Sequence, residues 1–190
     1  MPLQFNVKIT EKDMYRFNMY HTYTTMQGYL SIFIAIGIFI VSTLTFGTIE
    51  TVYTVLYYCF SVVFLFYFPV ILYLKSKSQI HASAILQEPL HYEFREEGLF
   101  VSSEVVTSIE ESEQEQEEED PIVLDAALQS STLKWSDIYK IVTTKNELYI
   151  FSNKINAYII PKSYVEHDIA AIKELLARNV ENYRVQVKWK

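Results

Sequence analysis

The chain has 190 residues, a net charge of −7 and a single cysteine, Cys59, which excludes an intramolecular disulfide framework and a cysteine-based metal cluster. Its four glycines, Gly28, Gly37, Gly47 and Gly98, are too dispersed for a phosphate-cradling loop. Residues 110–120 hold eight acidic groups and no base; without them the net charge is +1, which leaves no basic stripe for nucleic acid.

At the N-terminus Leu3, Phe5, Val7 and Ile9 alternate with Gln4, Asn6 and Lys8, the period-two pattern of a half-buried strand. Thr10 then reads as a helix N-cap, with Asp13 at the reciprocal position of a capping-box variant. A helix from about residue 11 is expected to run on toward the first hydrophobic segment, so that residues 1–28 make a strand and a juxtamembrane helix.

Two uncharged segments follow, Tyr29–Ile49 and Val52–Leu74. At about 1.5 Å rise per residue, each is long enough as a helix to cross a hydrocarbon core about 30 Å thick. The second contains 14 Leu, Ile, Phe and Val residues. These favour insertion by an upper bound of roughly 4–8 kcal/mol, with no charge opposing them. A pair of buried helices in a soluble core would carry a polar stripe, and these carry none. The connection, Glu50-Thr51, predicts an antiparallel membrane hairpin. Lys8, Lys12 and Arg16 precede it, Lys75 and Lys77 follow it, and the loop has no base. The positive-inside rule therefore predicts a multi-pass protein of the plasma membrane with both termini cytoplasmic. Pro69 is a candidate kink.

Residues 75–190 read as one cytoplasmic domain. Residues 75–86 extend the second helix. Leu90–Arg95 and Leu99–Ser103 flank a Glu96-Glu97-Gly98 turn as a hairpin. Leu133–Trp135 and Ile138–Thr144 read as strands, and Leu148–Phe151 with Tyr158–Ile160 as a second hairpin. Ser163 and Glu166 have capping-box spacing before a helix with Val165, Ile169, Ile172 and Leu176 on one face. Tyr183, Val185, Val187 and Trp189 alternate again. An N-terminal strand has no local partner for its backbone groups, so it is expected to join the later strands. The hairpin would then be an insertion into a single α+β domain whose antiparallel strands form a sheet or barrel capped by a helix. Residues 104–131 are too acidic and polar to bury a core and read as a disordered loop. As a calcium loop this stretch lacks both the spaced aspartates and the turn glycine.

No ionisable side chain lies in either span, which argues against a channel or transporter. The histidines His21, His81, His91 and His167 show no i, i+4 pair for a helical zinc site. No nucleophile elbow or dinucleotide fingerprint occurs. The expectation is a protein with no catalytic residues, no metal site and no cofactor.

The block Leu133–Val165, with Trp135, Asp137, Ile138, Lys145, Leu148, Tyr149, Ile159, Ile160, Pro161 and Lys162, resembles the YcxB-like family of bacterial membrane proteins. The opening Ile9-Thr10-Glu11 and Asp13, and the order of strand, two spans, hairpin and Trp block, are similar as well. The resemblance implies a pleckstrin-homology-like soluble domain, a strongly bent sheet closed by the C-terminal helix. It implies no activity, and Trp135, Asp137, Ile138, Pro161 and Lys162 are expected to be structural. The expected partners are the lipid bilayer and a protein met at or in the membrane. Ser31 and Ala35, spaced for close helix packing, leave a homo-oligomer open. Two functions fit. One is a membrane-tethered cytoplasmic interaction or scaffold module. The other is an accessory or immunity-type membrane protein acting through its hairpin.

Overall fold

The computed structural model describes residues 3–103, 130–180 and 185–186. The acidic stretch 104–129 and the ends of the alternating C-terminal segment, including Tyr183, Val187 and Trp189, lie outside the described residues. The chain divides into two compact units, one made of Met1–Asp13 with Ile80–Lys190 and the other of Met14–Gln79.

The first unit is α+β. Strand β1 (Leu3–Val7) pairs antiparallel with β2 (Leu90–Phe94), with Val7 opposite Leu90 and Leu3 opposite Phe94. The N-terminal strand thus finds its partner beyond the two hydrophobic helices, as its orphan backbone groups required. β2 continues to β3 (Gly98–Ser103) and β4 (Ser130–Lys134), completing a four-stranded sheet in the order β1-β2-β3-β4. A second sheet has β5 (Lys140–Thr143), β6 (Glu147–Phe151) and β7 (Ala157–Pro161) in antiparallel register. The short β8 (Val185–Gln186) joins it alongside β5, running parallel, so the sheet order is β7-β6-β5-β8.

Period-two alternation decides what faces the core. Leu90, Tyr92 and Phe94 on one face of β2 are almost fully buried. The Tyr92 hydroxyl donates to the Ile159 carbonyl of β7 at 3.3 Å, and its ring meets that of Tyr158 edge-on. These contacts join the two sheets. Burial, helped by the neighbouring Tyr158, pushes the Tyr92 phenol well above its ordinary pKa.

Thr10 and Asp13 form the expected reciprocal cap. The Thr10 amide and hydroxyl donate to Asp13 Oδ2 at 3.0 and 2.6 Å, and the Asp13 amide donates to Thr10 Oγ1 at 3.3 Å. Helix α1 (Glu11–Thr24) starts there.

The second unit is helical. α1 gives way at Thr25 to α2 (Met26–Leu44), bent from it by 70°. Gly28 permits the bend, because a Cβ there would sit 2.6 Å from the Thr22 carbonyl oxygen. α3 (Thr51–Ala82) runs antiparallel to α2: Ser31 donates to the Phe64 carbonyl at 3.0 Å and Ser61 to the Ala35 carbonyl at 2.8 Å. Helix α3 continues through Pro69. It is long and apolar enough to cross a bilayer, and only 11% of its most apolar stretch is buried.

Several boundaries differ from those read in the sequence. α2 ends at Leu44, not Ile49, so the connection is residues 45–50 and not two residues. Thr43, Thr45 and Thr48 turn their hydroxyls back onto preceding carbonyls, and Gly47 takes φ +80. Hydropathy tracks apolar surface and is blind to this helix end. α3 stops at Ala82, and Ser83 caps a separate short helix, α4 (Ala84–Gln87). Trp135 lies in a 3-10 turn, Trp135–Asp137, after β4 and not within a strand. The helix after Pro161 begins at Ile169, with Asp168 at its N-cap, so Ser163 and Glu166 do not cap it. A 3-10 turn, Lys162–Tyr164, occupies that stretch and is followed by α5 (Ile169–Asn179).

Candidate functional site

The five family-motif residues resolve into two structural groups, each holding a turn. Trp135 is buried, and its indole N–H donates to the Glu96 carbonyl at 2.9 Å while its ring stacks on Phe94. Its backbone N–H reaches the Glu97 carbonyl at 3.4 Å. Trp135 thereby closes the Glu96-Glu97-Gly98 turn between β2 and β3. Gly98 is required there, since any Cβ would be driven into the Leu133 carbonyl of the neighbouring strand. Ile138 is fully buried, and exposed Asp137 accepts from the Ser136 hydroxyl at 2.8 Å.

Pro161 and Lys162 serve the turn between β5 and β6. Pro161 ends β7 opposite Glu147. The Lys162 amide donates to the Asn146 carbonyl at 2.8 Å, and its ammonium donates to the Thr144 carbonyl at 2.6 Å. Thr144 closes the same turn, its amide donating to the Glu147 carbonyl at 2.9 Å and its hydroxyl accepting from the Glu147 amide at 3.1 Å. Partial burial lowers the Lys162 pKa, Lys173 lowers it further, and the buried Glu147 carboxylate opposes both. A lysine whose ammonium already serves a main-chain carbonyl is a poor general base and a good brace.

The histidines are separate. His81 meets Glu11 at 3.0 Å, His91 meets Asn6 across the β1–β2 ladder at 2.7 Å, and the His21 ring stacks on Phe17. Among the described residues, no group of three or more His, Cys, Asp and Glu side chains could hold a metal ion.

A cavity of about 990 Å³ opens between the strand ends of β1 and β2 and helix α5. Leu3, Phe94 and Leu175 supply apolar surface; Glu96, Glu174 and Arg178 supply charge of both signs. Its lining comes from three separate stretches of chain, so no local motif announced it. None of the five motif residues lines it.

No curated protein and no solved structure matches the chain. A family model described as YcxB-like protein matches residues 119–176, a stretch that contains all five motif residues. The family suggested by the Trp block and the Ile-Pro-Lys end of β7 is therefore the one whose model matches, and over residues 119–176 the chain is similar to it.

Proposed function

We propose that the chain is a membrane-tethered cytoplasmic interaction module, its α+β unit pleckstrin-homology-like and its α2–α3 pair a bilayer-crossing hairpin. The observation that carries the reading is the exposure of α3. A core helix of a soluble protein hides its apolar side chains, whereas Phe60, Val63, Leu65, Phe66 and Val70 are open to the surroundings, as are Phe33, Ile36 and Ile40 of α2. Lipid is the solvent that suits such a surface. Three serine hydroxyls that would otherwise be stranded in hydrocarbon are satisfied within the pair: Ser42 bonds the Ile38 carbonyl, and Ser31 and Ser61 bond across it. At about 1.5 Å per residue α3 exceeds the hydrocarbon thickness, so its polar end from Lys75 onward would lie outside.

The tether supports a binding role because β1 and β2, on either side of the hairpin in sequence, belong to one sheet. The mixed apolar and charged cavity beside α5 suits a peptide segment of a protein partner. The test is photo-crosslinking of the full chain in native membranes. A crosslinker replacing Arg178 should capture one protein, and one replacing Ile40 should label lipid. Capture of a protein only at Ile40 would favour the accessory or immunity-type reading, with action through the hairpin. A reporter at Glu50 outside and one after Lys190 inside would support the topology; both on one side would defeat it.

A further inference from the structure

We infer that the free edge of β1 and the facing side of α5 form a groove that takes up an extended segment of a partner protein as an added strand, one carrying a bulky apolar residue and a base two positions away. This inference rests on the peptide-binding reading above and gives it a mode of capture and a chemistry. β1 is an outer strand: among the described residues its one ladder is to β2, and the sheet order ends on it. In an antiparallel pair alternate residues turn both their N–H and C=O groups away from the partner, so β1 presents main-chain donors and acceptors along its outer side. The other outer strand, β4, is instead tied to β7 through the Ser131 and Tyr158 hydroxyls, 2.9 Å apart.

Two contacts set α5 alongside that strand. Tyr164, in the turn just ahead of α5, donates its hydroxyl to the Lys8 carbonyl just past β1 at 3.3 Å. At the other end of β1, Leu3 shares the cavity with Leu175 and Arg178 of α5. α5 therefore runs antiparallel to β1. Its length of about 16 Å matches the strand's length of about 17 Å. Val7 is buried, whereas Leu3 and Phe5 on the same face are only half-buried, so the apolar face of β1 stays open toward the cavity. On α5, Ile172 and Leu176 are buried in the core, while Ala171 and Leu175 line the cavity. One wall thus offers main-chain hydrogen bonds and the other an apolar helix face.

The lining charges set the chemistry of the segment. Arg95 is held by Glu93, its Nε donating to Oε2 at 2.7 Å, and its guanidinium lies over the Phe100 ring at 3.9 Å. That leaves Glu96, Glu174 and Arg178, two exposed acids against one exposed base. A basic side chain is the complement, and an apolar one fills the space between Leu3 and Leu175. Strand addition draws affinity from the main chain and selectivity from alternate side chains. The apolar residue and the base must therefore stand two apart to enter the same recess.

The experiment pans a phage-displayed library of random dodecapeptides against the full chain in a neutral detergent. The counter-selection uses Ala171→Trp, whose added ring fills the recess from an exposed position. Enriched sequences should share an apolar residue two positions from Lys or Arg. A synthetic peptide of the consensus should bind Ala171→Trp about tenfold more weakly than the wild type, and the double variant Glu96→Gln, Glu174→Gln several-fold more weakly. Lys134→Gln, away from the groove, should bind as the wild type does. N-methylation of alternate peptide amides should weaken binding about tenfold in one register and leave it unchanged in the other. Hydrogen exchange of the wild-type complex should show alternate amides of β1 slowed. These last two readouts use the unaltered chain, so they decide the matter whatever the variants do to folding. No sequence enriched over the counter-selection overturns the groove. A consensus with helical spacing, or slowed exchange confined to α5, overturns strand addition. Crosslinking in native membranes separates the two claims. Protein captured at Arg178 with the β1 amides exchanging as in the free chain defeats strand addition alone, and no capture at Arg178 defeats the binding reading as well.

Discussion

The Lys162 ammonium donates to the Thr144 carbonyl oxygen at 2.6 Å, tying the end of β7 to the turn between β5 and β6. The Lys162 amide adds a second tie, to Asn146. A charge-assisted bond to a main-chain carbonyl contributes about 1.5–3 kcal/mol. Lys162→Met should therefore lower the stability of the full chain by about 1.5–2 kcal/mol, the lower part of that range, because the side chain is only half-buried. Asp137→Asn, at an exposed motif position bonded to its neighbour Ser136, should change stability by less than about 0.5 kcal/mol. Denaturant titration of both variants checks this; equal losses would remove the distinction between brace and surface residue.

The same lysine gives a pH prediction. Its pKa is depressed by burial first and by Lys173 second. A folded-state pKa below the unfolded one means that the folded protein sheds this proton more readily. Its contribution to stability should then rise as pH climbs through the folded value and level off at the ordinary lysine value. Lys173→Gln removes one depressing charge, so the Lys162 titration should move upward. Lysine-selective NMR reads that shift directly, and a downward or absent shift would contradict the arrangement.

Trp135 and Gly98 hold the other turn by different means, and substitutions should separate them. Trp135→Phe keeps an aromatic ring against Phe94 but deprives the Glu96 carbonyl of its donor, at a cost of about 1–2 kcal/mol. Gly98→Ala places a methyl group against the backbone of β4, which cannot swing aside, and should cost about 3 kcal/mol or more. Thermal unfolding should rank glycine above tryptophan. The reverse ranking would mean that β3 and β4 are more loosely joined than their register indicates.

Much of this arrangement is legible in the sequence. β1 could be read because its alternation is strict and its backbone lacked a local partner. The Thr10–Asp13 cap could be read because a capping box is complete within four residues. The start of α5 could not. Ser163 and Glu166 have the right spacing, but the Lys162 amide is taken by Asn146 and the Val165 amide bonds the Lys162 carbonyl, fixing a 3-10 turn where the helix would have begun. Trp135 read as the end of a strand because its reach to Glu96, across 39 positions, has no local signature. The cavity beside α5 was hidden for the same reason, since Leu3, Phe94 and Leu175 meet only through the fold.

The three glycines of the helical unit offer a graded test of its geometry. At Gly28 an added Cβ would meet the Thr22 carbonyl oxygen and the Tyr23 Cα, at 2.6 and 2.9 Å, and both are backbone atoms. Gly28→Ala can be accommodated only by opening the bend between α1 and α2, and should cost about 1–3 kcal/mol. At Gly47 there is space, but φ is +80, so Gly47→Ala should cost about 1–2 kcal/mol through backbone strain alone. At Gly37, inside α2, a methyl group would meet nothing within 4 Å, and alanine is the better helix former. Gly37→Ala should be neutral or stabilising by up to about 1 kcal/mol. The native Cys59 on α3 allows the geometric part to be read independently of stability. A spin label there, paired with one at Met19→Cys on α1, should report a changed distance in the Gly28→Ala chain and an unchanged one in the Gly37→Ala chain. If Gly28→Ala leaves the distance unaltered, the bend is not held by the close approach of Gly28 to Thr22.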